Sequence, residues 1–114
     1  MATVLVVDDD AQIRDTVGEV LEDEGYEVLR AENGVRALEL LEAAQPDLVL
    51  LDLMMPVMSG WEVLEKLNDR DELAHIPVVV ISAMKAPGVR MCLAKPIDLQ
   101  HLLQVVQHYC GMTS

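Results

Sequence analysis

Residues 4–10 read Val-Leu-Val-Val-Asp-Asp-Asp, a short apolar run that ends directly in three carboxylates. Three later apolar runs also end in a polar residue, at 48–52 (Asp52), 78–82 (Ser82) and 91–95 (Lys95). If these runs are parallel strands, their polar ends meet at one edge of one sheet, which is where open α/β sheets bind ligands. Carboxylates, a hydroxyl and an ammonium at such an edge indicate magnesium and phosphate chemistry.

The rest of the chain alternates strand patterns with amphipathic helix patterns. We expect strands at 3–8, 26–31, 47–52, 77–82 and about 90–94. Typical N-cap residues precede the predicted helices: Asp10, Asn33, Ser59 with Glu62 in a capping box, and Asp98. Nearly continuous Val, Leu and Ile in the strands indicate a parallel sheet covered on both faces. The prediction is a doubly wound α/β fold in a single domain, residues 1–114.

Apolar spacing predicts which residues of each helix face the sheet. The second helix is expected to turn Val35, Leu38 and Leu41 inward, and the last helix Leu99, Leu102, Leu103 and Val106. Near the polar edge of the sheet, methionines such as Met54 and Met55 are expected to fill gaps. Trp61 is expected to be partly exposed.

Composition limits the classes of function. The chain is 52% hydrophobic and carries a formal net charge of −12. No apolar run approaches the roughly 18 residues that span a bilayer, and no basic leader precedes the first strand, so we expect a cytoplasmic protein with no membrane segment. An acidic surface without a basic stripe argues against direct nucleic-acid binding. Cys92 and Cys110 lack metal-ligand spacing and are expected to be buried or semi-buried thiols.

One interval breaks the alternation of strands and helices. Only the seven residues 83–89 separate Ser82 from the predicted fifth strand, whereas a parallel crossover usually needs about a dozen. Pro87-Gly88 further disfavours a helix there. An extended segment of this length reaches roughly 25 Å, more than the ~17 Å of a typical strand. We therefore expect an extended loop in place of a crossover helix.

The motifs at the strand ends resemble those of the receiver domain of two-component response regulators. The resemblance rests on Val-Asp-Asp-Asp at 7–10, Asp-Leu-Met-Met-Pro-Val-Met-Ser-Gly at 52–60, Ile-Ser-Ala at 81–83 and Lys-Pro at 95–96. These motifs span nearly the whole chain in the family's order. The resemblance implies a flavodoxin-like sheet of five parallel strands in the order 2-1-3-4-5, with the fourth helix replaced by the short extended loop.

The resemblance also implies a Mg²⁺ site. Asp9 resembles the direct carboxylate ligand, and Asp8 resembles the assisting carboxylate that often acts through water. Asp52 and the backbone carbonyl of Met54 would complete the protein's share of the ligands. The residue types suit the ion, because Mg²⁺ prefers hard oxygen ligands and keeps several waters.

For the phosphate, the resemblance implies that Asp52 is the phosphoacceptor. Ser82 would hydrogen-bond a phosphoryl oxygen, and Lys95 would pair with Asp52 or with the phosphoryl group. The Lys95–Pro96 peptide resembles the cis peptide usual at this place in the family. Phosphoryl transfer requires charge neutralisation on the equatorial oxygens, which a metal, an ammonium and a hydroxyl together supply.

The implied function is that of a stand-alone receiver. Its phosphodonor would be a phosphohistidine on a sensor histidine kinase or a phosphotransfer protein, and its output would be contact with a downstream protein. It would catalyse only its own phosphorylation and dephosphorylation. The chain's own histidines do not fit the donor role, and His75, His101 and His108 are expected on the surface.

Two departures from the family concern signal output. Receivers normally place a full fourth helix where residues 83–89 lie, and an aromatic residue where this chain has Cys92. Without that helix, one face of strands four and five is expected to lose its cover, including some of Val78, Val80, Met91 and Leu93. An exposed apolar patch marks an interaction surface. We therefore expect a homodimer or a partner on this face, with a swapped element as the second possibility.

Two other functions remain open at the level of sequence. The first is a phosphorylation-independent interaction module that keeps the receiver fold for its dimer or partner face. The second is a phosphohydrolase of the haloacid-dehalogenase type, because Asp8-Asp9-Asp10 contains a D-x-D after a first strand. The chain lacks that family's cap domain and late acidic pair, and Asp52 would be unexplained.

Overall fold

Five strands form one parallel sheet in the computed structural model of the chain, which describes residues 2–55, 58–82 and 92–110. The strands are β1 (Thr3–Val7), β2 (Glu27–Ala31), β3 (Leu48–Asp52), β4 (Val78–Ser82) and β5 (Cys92–Ala94). Within the described ranges the helices are α1 (Ala11–Asp23), α2 (Gly34–Ala44), α3 (Gly60–Asn68) and α4 (Leu99–Cys110). The sheet order is β2-β1-β3-β4-β5, and every neighbouring pair is parallel. The predicted doubly wound α/β fold and its strand order are confirmed.

Side-chain caps begin these helices where the sequence predicted. The cap oxygens accept backbone N–H bonds in α1 from Gln12 and Ile13 to Asp10, in α2 from Arg36 to Asn33, in α3 from Glu62 to Ser59, and in α4 from Gln100 and His101 to Asp98. Gly25 follows α1 with a φ of 94°, a left-handed conformation that glycine adopts without steric cost. The start of each helix is thereby fixed shortly after the end of the preceding strand.

The core has two layers, one on each face of the sheet. One layer packs α1 and α4 on alternate strand residues, which are Val4, Val6, Leu48, Leu50, Val79, Ile81 and Leu93. The other packs α2 and α3 on the intervening residues Leu5, Val7, Val49 and Leu51. All five residues of β3 are buried, as a central strand covered on both faces requires. The strand ends are thus held rigidly beside one another.

One detail of the predicted helix faces is wrong. Val35 is 45% exposed, and the buried residues of α2 are Gly34, Ala37 and Leu41. Val35 lies one position, about 100°, around the helix from the side that meets the sheet. The predicted face of α4 is confirmed, since Leu102 and Val106 are buried and the half-buried Leu99 and Leu103 pack against the same core layer.

The predicted loss of cover on strands four and five is wrong for Val80 and Leu93. Val80 and Leu93 are buried, and Leu93 belongs to the layer under α1 and α4 because it pairs with Ile81. The exposed residues of β5 are Cys92 and Ala94, so the expectation of a buried or semi-buried thiol is wrong for Cys92 and holds for Cys110. The extended loop expected at 83–89 and the patch residue Met91 lie outside the described residues.

No helix in the described part of the chain has the length and apolar character needed to cross a bilayer.

Candidate functional site

The carboxyl edge of the sheet brings four of the predicted residues together. Asp8 follows β1, Asp52 and Ser82 are the last residues of β3 and β4, and Lys95 follows β5. Asp8 and Asp52 are each 2% exposed and Ser82 is 3% exposed, and these three are the buried polar residues of the described chain. Burying two carboxylates side by side is costly without compensation. Their pairing therefore points to a site rather than to a solvated strand end.

Lys95 supplies the compensation. Its Nζ lies 3.3 Å from Asp8 Oδ2 and 3.4 Å from Asp52 Oδ2, so one ammonium serves both carboxylates. Its backbone N–H donates to the Ser82 carbonyl at 3.1 Å. The Lys95–Pro96 peptide is cis, as the family resemblance implied. Burial lowers the pKa of Lys95, but the two carboxylates outweigh that effect and the pKa is raised overall.

Asp8 is fixed by contacts from four directions. Its backbone N–H donates to Ala31 O at 3.1 Å, and its Oδ1 accepts from Asp10 N at 2.9 Å. Its backbone carbonyl accepts from Arg14 Nη1 at 2.8 Å. Among the described residues no group donates a hydrogen bond to the buried Oδ2, and the Lys95 ammonium lies 3.3 Å from it. This oxygen has lone pairs available for a further cation.

The Asp52 carboxylate combines burial with one main-chain contact. Its Oδ1 accepts from Met54 N at 3.1 Å. Burial raises the pKa of Asp52 to about 6, and the nearby Asp8 carboxylate acts in the same direction. The Met54 amide and the Lys95 ammonium act against this shift. The group is therefore ionised at neutral pH but poorly solvated, which suits a carboxylate that reacts as a nucleophile.

Three carboxylates of this edge fit a divalent cation. One oxygen each from Asp8, Asp9 and Asp52 lies within 4.8 Å of the others, with Asp9 exposed and the other two buried. Hard, anionic oxygens with one side open to water are the ligand set that Mg²⁺ prefers. The buried Asp8 Oδ2, to which no described residue donates a hydrogen bond, agrees with that fit.

Gly60, the first residue of α3, lies directly against the end of β3 at the site. Gly60 N donates to Leu53 O at 3.0 Å, and a Cβ at Gly60 would lie 2.5 Å from the Asp52 carbonyl oxygen. Ser59 and Glu62 form the predicted capping box. Met54, expected to fill a gap, is instead 64% exposed, whereas Met55 is buried as predicted.

Sequence reasoning missed two residues and a groove. The Arg14 side chain and Gly60 each contact main-chain atoms beside the site, which no residue pattern reveals directly. The signals that could have found them are an arginine one turn after the Asp10 cap and a glycine directly after the Ser59 cap. A groove of about 270 Å³ runs between α1 and the β5–α4 connection, and Ile13, Ile97 and Lys95 are among its lining residues. The predictions for Trp61, 45% exposed, and for the three exposed histidines are confirmed.

Comparison with known proteins agrees with this geometry. A family model described as the response regulator receiver domain matches residues 4–107. The polar-differentiation response regulator DivK of Brucella anthropi is 33% identical over 118 aligned positions, which cover 96% of each chain. This aligned stretch exceeds the 114 residues of the present chain, so the relative has residues there that this chain lacks.

The chain is also similar in fold to solved structures of response regulators. The chemotaxis response regulator CheY4 of Vibrio cholerae has a TM-score of 0.88 at 32% identity, covering 96% of this chain and 98% of that one. The receiver domain of the Francisella response regulator 1452 has a TM-score of 0.89 at 27% identity over the whole of both chains.

Proposed function

This chain belongs to the response regulator receiver domain family, and from that premise we propose that Asp52 accepts a phosphoryl group in a Mg²⁺-dependent reaction. The observation that carries the proposal is the environment of Asp52. Its carboxylate is 2% exposed, lies 3.4 Å from the Lys95 ammonium and shares a cluster with Asp8 and Asp9. Burial and like charge leave this carboxylate less stabilised than one in water, and transfer of a phosphoryl group to it is the reaction its setting favours.

The donor in this reaction is a phosphohistidine on a sensor histidine kinase or a phosphotransfer protein. A carboxylate oxygen of Asp52 attacks phosphorus, and an O–P bond forms as the P–N bond of the donor breaks. The electron pair of that bond leaves with the imidazole nitrogen, which then takes up a proton from water. The product is an acyl phosphate on Asp52.

The chain's own residues bind and orient the transferred group. Lys95 offsets charge on one side of it, and the Ser82 hydroxyl donates a hydrogen bond to a phosphoryl oxygen. Asp8, Asp9, Asp52 and the Met54 carbonyl are the residues that would hold Mg²⁺. When bound, the ion offsets negative charge on the phosphoryl oxygens and on the carboxylates.

The protein acts on no substrate other than itself in this proposal. It carries the phosphoryl group, hydrolyses it and passes the signal on through contact with a downstream protein. The groove beside Lys95, between α1 and the β5–α4 connection, is close enough to the site to seat part of the donor protein. The cytoplasmic location stays a prediction.

We further propose that two copies pair at the β5 side of the sheet. Cys92 and Ala94 are exposed there on a strand at the edge of the sheet, and edge strands are common sites of protein contact. Sedimentation velocity with and without beryllofluoride and Mg²⁺ tests this pairing. A monomer at tens of micromolar in both states would contradict it.

Labelling by a small phosphodonor tests the reaction. We expect phosphoramidate with Mg²⁺ to add one phosphoryl group to the wild type, detected by intact-protein mass spectrometry, and Asp52→Asn to remain unlabelled. Asp71→Asn is the matched control, because Asp71 is an exposed aspartate in the turn after α3. Labelling of Asp52→Asn at the wild-type level would refute the assignment.

This labelling, together with a beryllofluoride titration followed by Trp61 fluorescence, separates the alternative functions. A wild type that is neither labelled nor responsive to beryllofluoride through Trp61 fluorescence would favour the phosphorylation-independent interaction module. The phosphohydrolase alternative leaves the contact between Asp52 and Lys95 without a role, and the family match gives it no support.

A further inference from the structure

The contact made by Arg14 differs from those of the other arginines in the described part of the chain. Arg30, Arg36 and Arg70 each pair with a carboxylate on the surface. Arg14 is half-buried in the first turns of α1, and it makes no ion pair within the described ranges. Its Nη1 instead donates to the backbone carbonyl of Asp8 at 2.8 Å.

The Asp8 carbonyl belongs to the peptide unit that leads into Asp9. A peptide unit is planar, so fixing its carbonyl oxygen also fixes the direction of the Asp9 N–H and Cα. Asp9 is exposed, and the side-chain hydrogen bonds of this turn involve Asp8, Asp10 and Arg14. The orientation of Asp9 therefore depends on the backbone that Arg14 holds.

We propose that Arg14 is a positioning residue for the divalent cation, and that it sets the preference of the site for Mg²⁺ over Ca²⁺. Mg²⁺ requires near-ideal octahedral geometry, whereas Ca²⁺ accepts variable distances and ligand numbers. An Asp9 held in one orientation favours the stricter ion. Loss of the Arg14 contact lets the Asp8–Asp9 peptide move, which penalises Mg²⁺ more than Ca²⁺.

The Mg²⁺/Ca²⁺ affinity ratio distinguishes a positioning role of Arg14 from the electrostatic effect of its charge. The guanidinium also places a positive charge near three carboxylates, and its removal should strengthen the binding of both ions to a similar extent. The ratio of the two affinities is insensitive to that charge effect. It is also insensitive to a general loss of stability, because both ions bind the same folded state.

The experiment measures Mg²⁺ and Ca²⁺ dissociation constants by calorimetry and by Trp61 fluorescence for the wild type, Arg14→Met and Arg14→Lys. We expect the Mg²⁺/Ca²⁺ affinity ratio to fall on the order of tenfold in Arg14→Met, as for other outer-shell contacts of metal sites. Arg14→Lys keeps the charge but lacks the rigid guanidinium. Its Mg²⁺ affinity should therefore fall below that of the wild type, because no charge is removed that would offset the loss of positioning. Arg36→Met is the matched control, since Arg36 pairs with Glu39 on the surface of α2.

The outcomes separate this inference from the proposed function on which it rests. A wild type that binds neither ion refutes the proposed metal site itself. A wild type that binds both, with an unchanged ratio in Arg14→Met and Arg14→Lys, refutes only the role of Arg14. A ratio that falls equally in Arg36→Met also overturns it. Thermal unfolding without cations identifies any variant that fails to fold, and the second Arg14 variant then decides.

Discussion

The two turns that carry the carboxylates are built in different ways. The β1–α1 turn is tied by side chains, through Asp10 N to Asp8 Oδ1, the Asp10 cap and the Arg14 contact. The described ends of the β3–α3 connection also have side-chain ties, namely the Met54 N–H bond to Asp52 Oδ1 and the Ser59–Glu62 capping box. They depend in addition on a close approach of backbone, because Gly60 packs against Asp52 and Leu53. Side-chain ties can be altered one at a time without displacing the chain. Substitutions that disturb the close approach at Gly60 should therefore lower the free energy of unfolding. Substitutions in the β1–α1 turn should mainly alter cation binding.

The largest expected effect tests the close approach directly. Gly60→Ala places a Cβ 2.5 Å from the Asp52 carbonyl oxygen and 2.6 Å from Leu53 Cα, so backbone must move. We expect a loss of about 3 kcal/mol in the free energy of unfolding, measured by urea denaturation. Gly34→Ala, also at the first position of a helix, is the control, because its nearest neighbours are the Met58 and Val63 side chains. Equal losses in both variants would contradict the comparison.

The next effect comes from the charge of Asp52. Its folded pKa of about 6 exceeds the ordinary value of 3.8, so the folded protein holds a proton that the unfolded chain has released in this range. Stability without cations should therefore fall as pH rises from about 4 to about 6, by at most about 3 kcal/mol. Asp52→Asn should be more stable than the wild type at about pH 7.5, with the difference shrinking at about pH 4.5. Urea midpoints at both pH values measure this, and a pH-independent difference would argue against it.

Loss of the caps is expected to cost less and to differ between the turns. Ser59→Ala removes the α3 cap and should cost about 1 kcal/mol. Asp10→Ala also removes a cap, but it relieves repulsion from the neighbouring Asp8 and Asp9, so its net cost should be smaller. Thermal unfolding in the absence of divalent cations compares the two. A larger loss in Asp10→Ala would show that repulsion in the β1–α1 turn is weak.

The smallest effect concerns the second half of the capping box. Glu62→Gln keeps an acceptor for the Ser59 N–H, which is 3.4 Å from Oε1, but removes the negative charge at the start of α3. We expect a loss of about 0.3 kcal/mol in the unfolding free energy. Glu65→Gln, one turn further along α3, is the control and should be neutral. A loss above about 1 kcal/mol would mean that the charge, and not the cap alone, holds this turn.

Most of the site could be predicted because its residues stand at strand ends. In a parallel sheet those ends share one edge, so Asp8, Asp52, Ser82 and Lys95 needed no further information to be placed together. Arg14 and Gly60 could not be found this way, because their importance lies in a distance to backbone atoms. The exposure of Leu93 was predicted wrongly, because the side of the sheet on which Leu93 lies depends on the register of β5 with β4.

Lys95 has a consequence for how events at the site spread through the fold. It is attached to the end of β1 through Asp8, to the end of β3 through Asp52 and to the end of β4 through the Ser82 carbonyl. The residue that begins the β5–α4 connection thus takes its position from three strands at once. In the proposed reaction, a phosphoryl group on Asp52 would change the attachment to β3 and leave the other two in place. We therefore expect the β5–α4 connection, and the surface beside α4, to be the first part of the fold to respond to chemistry on Asp52.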